Sequence, residues 1–172
     1  MKNIESILKK EIFPIGLVVI LCFSRAIPHP WNFTPVLAMG IFSGYYFKNF
    51  LLSLFVVILS MFLSDIYLGF HSTMFFTYLS LSVAVGIGAL IKNFNFFRII
   101  FAGLISSLCF FLITNFGAWL TLDMYQKNLE GLIQSYVLAL PFFHNTLLST
   151  FLYLVFIKLF LDFGAKWKII KL

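Results

Sequence analysis

Charge is scarce in this sequence. Lys and Arg number 12, Asp and Glu number six, and together they are 10% of 172 residues. A soluble domain carries about 25% charged residues. That deficit excludes an ordinary water-soluble enzyme, and with 62% of residues hydrophobic it also excludes a disordered chain. Cysteine is scarcer still. Cys22 and Cys109 sit inside apolar runs with neither CxxC nor metal-ligand spacing, so they read as small hydrophobes and exclude a disulfide-stapled module. Catalytic signatures are missing as well. There is no Gly-x-Ser-x-Gly, no His-Glu-x-x-His and no phosphate-cradling loop.

What the sequence has instead is long apolar runs, with a mean hydropathy of +1.03. They make residues 1–172 a single integral membrane domain, all-α and polytopic. A spanning helix needs about 20 mostly apolar residues. Pro, Asn and charged positions divide the chain into six such helices, at roughly 12–27, 34–47, 50–70, 72–91, 96–122 and 145–163. Lys2, Lys9 and Lys10 precede the first run as in a signal peptide, but no small-x-small cleavage site follows, so the run reads as the first crossing. Residues 123–143 are less apolar. Leu129, Leu132, Ile133 and Tyr136 fall at helical spacing there, which predicts an outer amphipathic segment covering a pocket.

Basic residues orient the chain. With six crossings and both termini cytoplasmic, Lys2, Lys9, Lys10, Lys48, Lys92, Arg98, Lys158, Lys166, Lys168 and Lys171 lie inside, and only Arg25 and Lys127 outside. The net charge of +6 therefore reports topology, and no nucleic-acid partner is expected. Trp31 and Trp119 fall near the outer interface and Trp167 near the inner one.

The remaining polar residues gather on the outer side. Arg25 and His29 close helix 1, and Asn32 and Thr34 open helix 2. Ser64 and Asp65 close helix 3, and His71 and Thr73 open helix 4. Thr114, Asn115 and Trp119 end helix 5, and His144, Asn145 and Thr146 open helix 6. A charge within the bilayer costs about 2.5–3.5 kcal/mol on insertion scales, so Arg25 and Asp65 are natural partners. Ser107, Phe111, Thr114, Asn115 and Ala118 share one helical face. Gly40-xxx-Gly44 and Ser80-xxx-Ala84-xxx-Gly88 are small-residue ridges that let helices approach closely.

The run Arg25-Ala26-Ile27-Pro28-His29-Pro30-Trp31-Asn32-Phe33-Thr34-Pro35 is distinctive. With Ser64-Asp65-x-x-x-Gly69, Thr114-Asn115-Phe116-Gly117-x-Trp119 and Leu140-Pro141-Phe142-Phe143-x-Asn145-Thr146, it resembles a family of small bacterial membrane proteins of unknown function. That family in turn resembles the substrate-binding S components of energy-coupling factor (ECF) transporters. The resemblance implies a bacterial inner-membrane, multi-pass protein that takes up a vitamin-like ligand. It also implies a transmembrane coupling subunit with cytoplasmic ATPases as partner. S components dock through small residues at four-residue spacing on helix 1. Here helix 1 offers only Gly16, Cys22 and Ser24, and the ridges of helices 2 and 4 are the possible substitutes.

The expectation is a substrate-binding subunit, not an enzyme, for a small polar ligand in an outward-facing pocket. Its ligand-binding residues would be Arg25, His29, Asn32, Asp65, His71, Asn115, Trp119, His144 and Asn145. Arg25 would meet an anionic group, or be held by Asp65 until ligand arrives. Trp31, Trp119 and Tyr125 would supply stacking surface. No cofactor, metal or catalytic residue is assigned. Two alternatives stay open. One is a membrane enzyme using His71, His144 and Asp65, where His29, His71, His144 and Asp65 could ligate zinc. The other is a structural subunit without ligand.

Overall fold

A computed structural model describes residue 16, residues 19–21 and residues 23–166 of the chain. The expected start of helix 1, Cys22 and the tail with Trp167 lie outside the described residues. Among those described, every regular element is a helix. Residue 16 and residues 19–21 and 23–26 form the described part of α1. It is followed by α2 (Val36–Phe47), α3 (Phe50–Leu68), α4 (Met74–Ala89), α5 (Phe96–Thr121) and α6 (Leu129–Lys166).

Local chemistry sets most of these ends. Lys48 closes α2 in the left-handed region with φ 51°, and Asn49 then caps α3 by accepting the Leu52 N–H at 3.1 Å. Asn95 caps α5 in the same way, accepting the Arg98 N–H at 3.0 Å. Gly69 ends α3 with φ 100°, a conformation that favours glycine, and its N–H bonds back to the Asp65 carbonyl at 2.8 Å. The expected bounds of helices 2 to 5 agree with α2 to α5 within two residues.

The last helix differs from the sequence reading. The amphipathic segment expected at 123–143 and the crossing expected at 145–163 are largely one helix, α6, which runs straight through Pro141. Proline removes one helical hydrogen bond. Packing on both sides of it offsets that loss. Phe111 of α5 stacks on Tyr136 before the proline and on Phe143 after it, with centroids 5.6 and 4.7 Å apart. Tyr136 also donates to the Leu112 carbonyl at 3.0 Å.

α2 holds the bundle together. It is buried without a break from Val36 to Gly44, which marks a central helix, and it packs against α3, α4, α5 and α6. The tightest crossing is α2 on α4. A Cβ on Gly44 would strike the Val85 carbonyl, and one on Gly88 would strike the Ile41 carbonyl. The two small-residue ridges therefore face each other, and neither is free for another subunit. On the periphery, Phe55, Phe101 and Phe156 point outward, as residues facing lipid tails would. By length and composition, α3, α5 and residues 129–163 of α6 are able to cross a membrane; α2 and α4 are apolar but shorter.

Candidate functional site

Four helix ends and a loop enclose a cavity of about 680 Å³. Its walls come from the end of α1 and the 27–35 loop, the start of α2, Met61 and Leu68 of α3, and Thr73, Thr77 and Leu81 beside and within α4. Phe110 and Thr114 of α5 and Thr146, Ser149 and Thr150 of α6 complete it.

Arg25 is the cation of this cavity. Its Nη1 donates to the Asp65 carboxylate at 2.6 Å, to the Met61 carbonyl at 3.2 Å and to Ser64 Oγ. Asp65 is fully buried, and Tyr78 Oη donates to its second oxygen at 2.6 Å. Both carboxylate oxygens are thus satisfied, as a charge in a dry interior requires. The pairing follows from helix geometry. Ser64 and Asp65 lie on the last turn of α3 facing the end of α1, and Tyr78 lies one turn into α4. Asp65 does not line the cavity; it holds Arg25 from behind.

The 27–35 loop is strapped across to α6. Asn145 Nδ2 donates to the Trp31 carbonyl at 3.0 Å, and Ser149 Oγ lies 3.4 Å from the Asn32 carbonyl. Trp31 packs edge-on against Phe142, with centroids 6.5 Å apart. Asn32 takes φ 60°, a left-handed turn conformation that asparagine tolerates better than most residues. His29 Nδ1 sits 2.9 Å from the Pro30 carbonyl, which can only accept, so Nδ1 carries the proton. His71 Nδ1 is 2.9 Å from Thr73 Oγ1.

The nine expected ligand contacts therefore divide. Arg25, His29, Asn32 and His71 line the cavity. Asp65 and Asn145 do not, but they hold the residues that do. Asn115 turns its amide back to the Phe111 carbonyl of its own helix at 2.7 Å. Trp119 donates to the Gln126 carbonyl at 2.9 Å, closing the α5–α6 turn with Lys127, whose Nζ reaches the Leu122 carbonyl at 2.7 Å. His144 is exposed on α6 and lies outside the cavity. Among the described residues, no three His, Cys, Asp or Glu side chains gather as metal ligands would, so the candidate zinc set is dispersed.

Three polar residues of the site were not singled out from sequence: Tyr78, Ser149 and Thr150. A signal for the last two exists. Thr146, Ser149 and Thr150 fall at offsets of zero, three and four, which is one helical face.

A family model matches residues 5–165, nearly the whole chain. The chain belongs to the family of unknown function DUF6580. The Arg25-to-Pro35 loop, Asp65 and the α6 hydroxyl face all fall within the matched residues. No curated protein and no solved structure matches the chain.

Proposed function

We propose that this DUF6580 protein is a substrate-binding subunit of the bacterial inner membrane. It crosses the membrane six times and takes up a small, polar, vitamin-like molecule from the outer side. The observation that carries this reading is the 680 Å³ cavity at one end of the bundle, walled by a cation, histidines and hydroxyls over an apolar floor of Leu37, Leu81 and Phe110. Small-molecule sites are concave, mostly apolar, and furnished with a few placed polar groups. Keeping Arg25 there costs free energy in a membrane, and intramembrane charge commonly marks a ligand path. With no nucleotide-binding motif in the chain, energy for uptake comes from partner subunits.

The enzyme alternative needs His71, His144 and Asp65 side by side. His144 is exposed on α6, and Asp65 is sealed behind Arg25. No observation favours that arrangement.

The test is mass spectrometry of small molecules retained by the purified protein, alongside metal analysis of the same sample. A stoichiometric organic compound is expected. Stoichiometric zinc, or no retained compound together with no thermal response to a panel of vitamins and their precursors, would overturn the reading.

A further inference from the structure

Resting on that binding reading, we infer the chemical class of the ligand: a small organic oxyanion that carries N–H or O–H donors away from its charge. Two features of the cavity point to it.

The first is the way Arg25 is held. All of its hydrogen bonds leave from Nη1, so Nε and Nη2 make none among the described residues. Those two nitrogens form one edge of the guanidinium, and that edge fits a carboxylate or phosphate with two parallel bonds. The side chain is 16% exposed, and Arg25 lines the cavity. Among the described residues, no carboxylate lines the cavity to compete for that edge. Asp65 fixes the guanidinium from the protein side without contacting the ligand.

The second is a belt of hydroxyls on the facing helices. Thr77 donates to the Thr73 carbonyl at 3.3 Å, Thr114 to Phe110 at 2.7 Å and Thr146 to Phe142 at 2.9 Å. Ser149 donates to the Thr146 carbonyl at 3.1 Å. A hydroxyl has one proton and two lone pairs. Each of these protons is committed to backbone, so the belt offers the cavity acceptors. Thr150 stands apart. Its side chain is fully buried and, like Ser106 and Ser107 of α5, has no hydrogen-bond partner among the described residues; of the three, Thr150 lines the cavity. The carbonyl one turn back, that of Thr146, already takes the Ser149 hydroxyl besides its helical N–H. An unmet buried hydroxyl is costly, and a ligand group is what would satisfy it. Donors at Arg25 and acceptors at the belt give the site a direction, with the ligand's oxyanion at α1 and its N–H or O–H groups at α5 and α6.

Free metabolites and lipid headgroups both present oxyanions, so the experiment separates them. Compounds released from the denatured protein are partitioned between water and organic solvent and identified by mass. A carboxylate or phosphate compound in the aqueous phase identifies a soluble ligand, and one in the organic phase a headgroup; either supports the class. A retained compound with no oxyanion overturns the class while leaving the binding reading intact. If nothing is retained, protein is titrated in thermal-shift assays with hydroxy and amino carboxylates whose hydroxyl or amine stands several carbons from the acid group. Each is paired with its methyl ester and with the plain acid lacking the hydroxyl or amine. Acids are expected to stabilise where esters do not, and plain acids to bind about tenfold more weakly, a typical value for one lost hydrogen bond. Esters matching acids would overturn the oxyanion, and plain acids matching substituted ones would overturn the belt. No response at all would overturn both the class and the binding reading. Arg25 variants disturb the buried pair, so Thr150→Val is the decisive variant. It is expected to melt at or above the wild-type temperature yet bind the acid about tenfold more weakly, with Thr150→Ser restoring affinity. Wild-type affinity in Thr150→Val would remove Thr150 from the site and overturn the assignment of the α6 face.

Discussion

At the scale of single residues, the molecule turns on one buried carboxylate. Asp65 has no access to solvent, and its two oxygens take one bond each from Arg25 and Tyr78. Removing either partner leaves a charge short of a bond in a dry interior. Tyr78→Phe deletes one hydroxyl with little change of shape, and a hydrogen bond to a charged group is worth about 1.5–3 kcal/mol. Arg25→Ala strips the counter-charge, which costs about 3–5 kcal/mol for a buried pair. Thermal unfolding in detergent should rank the variants wild type, Tyr78→Phe, Arg25→Ala in falling order of stability. Equal melting temperatures for Tyr78→Phe and wild type would mean that Asp65 does not depend on the tyrosine.

At the scale of elements, α2 and α4 decide whether the cavity has walls. Val36 and Leu37 line it from one helix, and Thr77 and Leu81 from the other. Their spacing is set by Gly44 and Gly88, each of which has the other helix's backbone where a methyl group would go. Backbone cannot step aside as a side chain can, so overpacking here separates the helices. Gly44→Ala and Gly88→Ala are expected to cost at least about 1–3 kcal/mol each and to weaken ligand binding with stability. Gly86→Ala is the control, since the nearest atom to its added methyl is Phe50 Cε2 at 3.9 Å. It should melt close to wild type. If all three variants melted alike, the close crossing of α2 and α4 would not limit stability.

At the scale of the whole molecule, Lys48 and Lys92 lie at the end of the bundle opposite the cavity. Phe94, in the turn before α5, packs on Phe42 and Tyr45 of α2 at 5.8 and 4.9 Å. That contact brings Lys92 and Lys48 to one end of the bundle, away from Arg25, His29 and His71. The α5–α6 hairpin reaches further than the loops around the cavity. α6 begins 16 residues before Asn145, where the 27–35 loop is tied, a rise of about 24 Å. In the proposed topology the basic end faces the cytoplasm, as the positive-inside rule expects. Single-cysteine variants test this in a background with Cys22 and Cys109 replaced. Ser72→Cys, at the cavity end, should react with a membrane-impermeant maleimide in intact cells. Asn93→Cys, at the basic end, should react only after permeabilisation. The reverse pattern would turn the cavity towards the cytoplasm and end the uptake reading.

The sequence by itself determined that the chain is helical, apolar enough for a membrane and polar at one end. Those properties are one-dimensional. Apolar run length, Asn caps such as Asn49 and Asn95, and the cost of an unpaired charge can all be read along a line. Arg25 and Asp65 could be paired in advance for the same reason, because each had few affordable partners. Tertiary structure alone decided which polar groups meet. Asn115 and Thr114 are neighbours on α5, yet Thr114 lines the cavity while Asn115 bonds its own helix. His144 and Asn145 are also neighbours, and only Asn145 straps the loop. Spacing tells which residues share a face, not what that face will meet. In helices apolar nearly all round, no amphipathic stripe fixes the rotation. Close contacts fix it instead: Gly44 and Gly88 against backbone, and Phe111 between Tyr136 and Phe143. Those contacts bring Tyr78 to Asp65 and turn Thr150 to the cavity.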